Sequence, residues 1–152
     1  MGLKEHIADQ MKAAMKGRDQ LRLETLRTIR AALMEKEIER RGAGAAMTTE
    51  DETQVLTGAA KKRRESIEMF RLGGRTDLVE QETRELSIIQ EFLPKQMTPD
   101  EIMAVVSAII RDTGAAGPAD FGKVMPVVMK QLKGKADGKL VQETVKKALG
   151  AA

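Results

Sequence analysis

The chain has 152 residues, with 26 Lys and Arg against 23 Asp and Glu, a single histidine, and no cysteine, tryptophan or tyrosine. Without cysteine there is no disulfide, thiolate nucleophile or thiolate metal site, and one histidine cannot build a histidine metal cluster, so neither a metal nor another cofactor is expected. The length allows one domain or two small ones with a buried core, no run of 18 apolar residues is present, and Lys4, Glu5, His6 and Asp9 interrupt any signal-peptide pattern, so a cytosolic protein without a membrane span is expected.

Leu3, Ile7, Met11 and Ala14 or Met15 recur at helical spacing and predict a first helix over 3–16, ended by Gly17. A longer helix follows from about Asp19 to Arg40, its stripe running Leu23, Leu26, Ile29, Leu33 and on to Ile38, and Gly42-Ala43-Gly44-Ala45-Ala46 breaks the chain. Thr49 with Glu52 reads as a capping box for a third helix with the stripe Val55 or Leu56, Ala59, Ile67 and Phe70, stopped by Gly73-Gly74. Asp77 with Glu80 starts a fourth, running through Leu86, Ile89 and Leu93 until Pro94.

Thr98-Pro99-Asp100-Glu101 is the sharpest start signal in the chain: an N-cap hydroxyl, a proline at the first helical position, and a glutamate placed to complete a capping box. The helix it opens carries Ile102, Val105, Val106, Ile109 and Ile110, stops near Gly114, and is followed by a turn at Gly117-Pro118. A second helix holds Val124, Val127, Val128 and Leu132, and a third, capped by Asp137, holds Val141, Val145 and Leu149. No segment alternates with period two. The expectation is an all-α protein: a helical N-terminal domain of about four helices over 1–93 and a three-helix tail over 94–152.

The charge is uneven. Residues 1–93 hold 17 acidic and 17 basic side chains, so the net +3 comes wholly from nine basic and six acidic residues in 94–152. Within 121–147, Lys123, Lys130, Lys133, Lys135, Lys139, Lys146 and Lys147 face only Asp137 and Glu143. Such an excess suits an anionic partner, although a solvated lysine face with no specific role fits the same pattern. The turn Gly134-Lys135-Ala136-Asp137-Gly138-Lys139 offers close backbone approach, two ammonium groups and a helix N-terminus to a phosphate; Asp137, as a capping carboxylate, competes for the same amides.

Several blocks occur together in order: Leu26-Arg27 with Arg30-Ala31; Lys62-Arg63-Arg64-Glu65-Ser66-Ile67-Glu68 with Phe70, Gly74-Arg75 and Asp77-Leu78; Glu85-Leu86; Phe92-Leu93-Pro94 with Gln96; and Gly122-Lys123-Val124-Met125 with Gly134-Lys135-Ala136-Asp137-Gly138. In these, over nearly its whole length, the chain resembles the YqeY family, whose C-terminal part is shared with the tail of the B subunit of glutamine-dependent aspartyl/glutamyl-tRNA amidotransferase. The resemblance implies a helical N-terminal region and a three-helix tail similar to ubiquitin-associated domains. It also implies contact of that tail with the body of a tRNA, and carbon–nitrogen ligase activity with glutamine as amide donor only alongside other subunits. Pro126 departs from the pattern: a helix begun at Phe121 would lose an interior hydrogen bond there, whereas one capped at Gly122 would lose less, which leaves open a late start.

Lys61-Lys62-Arg63-Arg64 spreads around a helix, and the spacings Lys61–Glu65 and Arg64–Glu68 neutralise it, so a scaffold role is expected. Arg27 and Arg30, with Arg64 and Arg75, form a possible partner surface. Ser66, Ser87 and Ser107 have no histidine nearby in sequence, His6 reads as an exposed helix residue, and neither a serine–lysine amidase signature nor a P-loop is present, so no catalytic residue is assigned. The leading expectation is a non-catalytic accessory protein that binds tRNA or another structured RNA through the seven tail lysines, without DNA specificity and with amidotransferase or other translation proteins as possible partners. The alternatives are a protein-interaction module whose tail grips a partner helix, and an auxiliary component of glutamine-dependent amide transfer.

Overall fold

The computed structural model describes residues 2–150, and among them the regular structure is entirely helical. Seven α-helices and one 3-10 turn form two compact units, Met1–Leu93 and Pro94–Ala152.

The first unit contains α1 (Leu3–Lys16), α2 (Gln20–Gly42), α3 (Thr49–Leu72) and α4 (Thr76–Gln90). Ile7 and Ala14 of α1, Leu23, Leu26, Ile29 and Leu33 of α2, Leu56 and Ala60 of α3 and Ile89 of α4 form its core. α2 packs against each of the other three helices, and α3 and α4 pair as a hairpin. The apolar stripe of α2 ends at Leu33: Ile38 lies five residues on, about 140° round the helix, and is 63 % exposed rather than buried. On α3 Leu56 and Ala60 are fully buried, and Val55 and Ala59 pack partly buried against the same core.

Two helix starts differ from the sequence expectation. The capping box of α3 is Thr48 with Asp51, one residue ahead of Thr49 with Glu52. The Thr48 hydroxyl accepts from the Asp51 amide at 3.1 Å, and the Asp51 carboxylate accepts from the Thr48 amide at 2.9 Å. In this frame the Asp51 carboxylate also lies 2.9 Å from Arg40 Nε of α2, a tertiary ion pair that favours Thr48 over the adjacent Thr49 as the cap. The hydrogen bond from the Thr48 amide, helped by its hydroxyl and by the Arg40 charge, holds the Asp51 carboxyl below its ordinary range. At α4 the N-cap position is Arg75, and Asp77 lies in the first turn, where it accepts from the Arg75 guanidinium at 3.1 and 3.2 Å instead of capping. α4 ends at Gln90, and Phe92 and Leu93 pack on the core after the helix has stopped.

The second unit contains α5 (Pro99–Thr113), a 3-10 turn (Pro118–Asp120), α6 (Phe121–Leu132) and α7 (Gly138–Ala148). Its core joins Ile102, Val106 and Ile109, then Val124, Val128 and Leu132, then Val141, Val145 and Leu149, with Ala136 between the last two helices. Val127, at the margin of the α6 stripe, is 39 % exposed. At α5 the capping box forms as the sequence suggests, the Thr98 hydroxyl accepting from the Glu101 amide at 3.2 Å and the Glu101 carboxylate accepting from the Thr98 amide at 3.0 Å. Thr98→Ala is expected to destabilise this unit by about 1 kcal/mol, read as a lower denaturant midpoint with an unchanged m value. Gly114 then closes the helix in the left-handed region at φ 69.

α6 does not start late. The 3-10 turn runs directly into Phe121, so Pro126 lies inside the helix and cannot donate to the Gly122 carbonyl. Asp120 is occupied elsewhere, its carboxylate accepting from the Ala116 amide at 2.8 Å. Asp137 occupies the N-cap position of α7 but makes no side-chain capping hydrogen bond, which corrects the expected cap.

Candidate nucleic-acid interface

All seven tail lysines are exposed. Lys123 and Lys130 are seven residues apart on α6, and Lys139 and Lys146 seven apart on α7, so each pair shares a helix face; Lys147 follows on α7, and Lys133 and Lys135 belong to the connection between the helices. Glu143 is exposed among the α7 lysines. The α6–α7 connection is held firmly. Gly134 is buried at φ 78, where a side chain would be strained, and its carbonyl accepts from Gln96 Nε2 at 3.1 Å. The Lys135 amide donates to the Leu132 carbonyl at 2.9 Å, and the Lys135 carbonyl accepts from the Met97 amide at 2.9 Å. Lys135 and Lys139 thus stand on a frame anchored by Ala136, at the positive end of a helix that Asp137 does not cap with its side chain.

A cleft of about 230 Å³ opens in the same unit, lined by Pro118, Phe121, Lys146 and Leu149. The Lys146 ammonium lies 5.8 Å from the centroid of the Phe121 ring, within cation–π range. Sequence reasoning missed this feature. Phe121 and Lys146 are brought together only by the packing of α6 on α7, and no local pattern signals it.

The residues of the expected partner surface are scattered over the first unit. Arg27 is exposed, and its guanidinium donates to Glu24 at 2.6 Å; Arg75 is exposed and bound to Asp77; Arg64 is half-buried on α3. Arg30 is different, because it lines a cleft of about 340 Å³ with Lys4, Ile7, Leu33, Met34 and Glu37, and Met34 is 48 % exposed beside it. Lys4 and Glu37 pair across this cleft, and the hydrogen bond from Lys4 holds the Glu37 carboxyl below its ordinary range.

The basic run on α3 has a role that helical spacing alone did not reveal. Arg63 reaches across the hairpin, with Nε 2.9 Å from Glu85 and 3.6 Å from Glu82 of α4, while Glu68 binds Arg71 through two contacts at 2.6 and 3.2 Å. Glu85 follows Glu82 at i+3 in α4, so both acids face one guanidinium. Burial, and then the Glu85 charge, push the Glu82 carboxyl up against the pull of Arg63. Of the groups considered for catalysis, the Ser87 hydroxyl donates to the Thr83 carbonyl at 3.2 Å, and His6 packs edge-on to Phe92 with ring centroids 5.3 Å apart. Among the described residues no three His, Cys, Asp or Glu side chains stand close enough to hold a metal ion, and no helix is long and apolar enough to cross a membrane.

Curated relatives match over much of the chain. It is 29 % identical over 145 residues to altered inheritance of mitochondria protein 41, mitochondrial, of Pyrenophora tritici-repentis, covering 93 % of this chain and 77 % of that one. The protein of the same description from Lachancea thermotolerans is 30 % identical, over 75 % of this chain and 61 % of its own. An uncharacterised Schizosaccharomyces pombe protein is 29 % identical over 93 residues, which is 61 % of this chain and 70 % of that one. The family model described as Yqey-like protein matches residues 4–149, and with that span accounted for, the chain belongs to the Yqey-like protein family.

Proposed function

We propose that the chain is a non-catalytic accessory protein that binds tRNA or another structured RNA through its second unit. The observation that carries this reading is the set of seven exposed lysines over 121–147 with only two acids among them, two of those lysines fixed at the start of α7. Ammonium groups spaced over two helices and a rigid turn match the phosphates of a folded RNA without reading its bases, which is how a body-binding module rather than a sequence reader works. The similarity of this part to the amidotransferase B-subunit tail points the same way, and a role beside that enzyme in glutamine-dependent amide transfer fits an accessory without a nucleophile or nucleotide site of its own. We place the protein in the cytosol on its sequence, while the names of two of the relatives above assign those proteins to mitochondria.

The test is tRNA binding by fluorescence anisotropy at several salt concentrations. Log affinity is expected to fall linearly with log salt, with a slope of several units for several phosphate contacts. Affinity that barely responds to salt would favour docking through an apolar groove instead, and no binding at low salt would remove the RNA reading. A second reading has its own support in the first unit: Met34 is exposed in the cleft that Arg30 lines, and Ile38 is exposed four residues further along α2, a mixture of apolar and cationic surface suited to a protein partner.

A further inference from the structure

We infer that the cleft between Phe121 and Lys146 receives one unpaired nucleobase, so that the second unit distinguishes an RNA with an unstacked nucleotide from a fully paired one. This rests on the RNA reading above and adds a ligand that lysines alone would not select. Phe121 is only partly buried, and its ring, with Pro118 and Leu149, gives the cleft an apolar floor. The cation in the lining is Lys146, whose ammonium lies 5.8 Å from the ring centroid. An apolar floor beside an aromatic ring suits the face of a base; the Lys146 ammonium, which lies over that ring in the free protein, moves on its flexible stem to the phosphate of the same nucleotide as the base takes its place. The occupant follows from charge: the surrounding segment is rich in lysine and poor in acids, which favours a polyanion over an apolar peptide. A paired base presents no free face, so duplex RNA meets the lysines but leaves the cleft empty.

Three hairpin RNAs with equal numbers of phosphates separate the outcomes: one blunt, one with a single-stranded 3′ extension, and one whose extension is abasic. The unaltered protein is expected to bind the extended hairpin about tenfold more tightly than the blunt or abasic ones, a typical loss for removing one base stack, with similar salt slopes for all three. Phe121→Leu, which keeps an apolar side chain under the cleft, should reduce this preference to nearly none. The chain has no tryptophan, so Phe121→Trp installs a single reporter whose emission should be quenched by the extended hairpin and not by the abasic one. Salt-dependent binding of all three hairpins with equal affinity would overturn the nucleobase pocket and leave the RNA reading intact. Absence of binding to any of them at low salt would overturn both, and a change in the emission of the Phe121→Trp variant on adding an apolar helical peptide instead would assign the cleft to a protein partner.

Discussion

Replacing Lys135 and Lys139 together by Gln is expected to reduce the slope of log tRNA affinity against log salt by about two units, one for each phosphate that no longer meets an ammonium group, while the paired change at Lys61 and Lys62 leaves it nearly intact. Between 50 and 200 mM salt, such a difference in slope changes relative affinity by about tenfold. The contrast comes from how each pair is held. Lys61 and Lys62 have Glu65 within one helical turn, on a segment where charges of both signs are close to balance. Lys135 and Lys139 flank the start of α7. There the chain is pinned by the Met97 and Gln96 hydrogen bonds to the Gly134-Lys135 carbonyls, so less side-chain and backbone freedom is lost when a phosphate is engaged. The measurement is anisotropy with labelled tRNA for the parent and both double variants over the same salt series. Equal weakening in the two variants would show diffuse attraction by net charge rather than a site at the turn.

The difference between the two lysine pairs also shows what kind of information the sequence carries. Helical periodicity and caps are local, so the start of α5 at Thr98-Pro99 and the ends of α1 at Gly17 and of α3 at Gly73 were legible. Where two local solutions are nearly equal in free energy, a distant side chain decides. Thr48 displaced Thr49 as a cap because its box brings Asp51 to Arg40, a residue of the preceding helix. Stripes misled where they were extended beyond the partner that buries them, as at Ile38 and Val127. The lysine excess was visible by counting, but the cleft at Phe121 was not, since it depends on Lys146 lying 25 residues away and on how α6 meets α7. A run of four basic residues looked neutralised along its own helix, yet Arg63 is engaged by two acids on another.

That cross-helix contact sets a pH-dependent part of the stability of the first unit. Arg63→Met is expected to cost about 2–3 kcal/mol at neutral pH, on the low side for a buried ion pair because part of the guanidinium remains in water. The side chains of Arg63, Glu82 and Glu85 are 19 %, 17 % and 14 % exposed, and the Arg63 Nε contact to Glu85 at 2.9 Å is a charge contact rather than an aligned hydrogen bond. Removing the cation leaves two carboxylates facing each other in a partly dry space. A carboxyl whose folded pKa is raised, as burial and Glu85 raise Glu82, favours the folded state while protonated and loses that contribution as pH rises through the folded pKa. Without Arg63 the rise is larger. The penalty in the variant should therefore be fully present at neutral pH and should shrink as pH falls to about 4, where the carboxylates take up protons. Adding Glu82→Gln to Arg63→Met should restore part of the loss at neutral pH, since it removes one of the two uncompensated charges. Urea unfolding of the parent, the single variant and the double variant at both pH values measures all of this. A loss of equal size at both, with no rescue by Glu82→Gln, would show that Arg63 acts by packing its aliphatic stem between α3 and α4 and not by its charge.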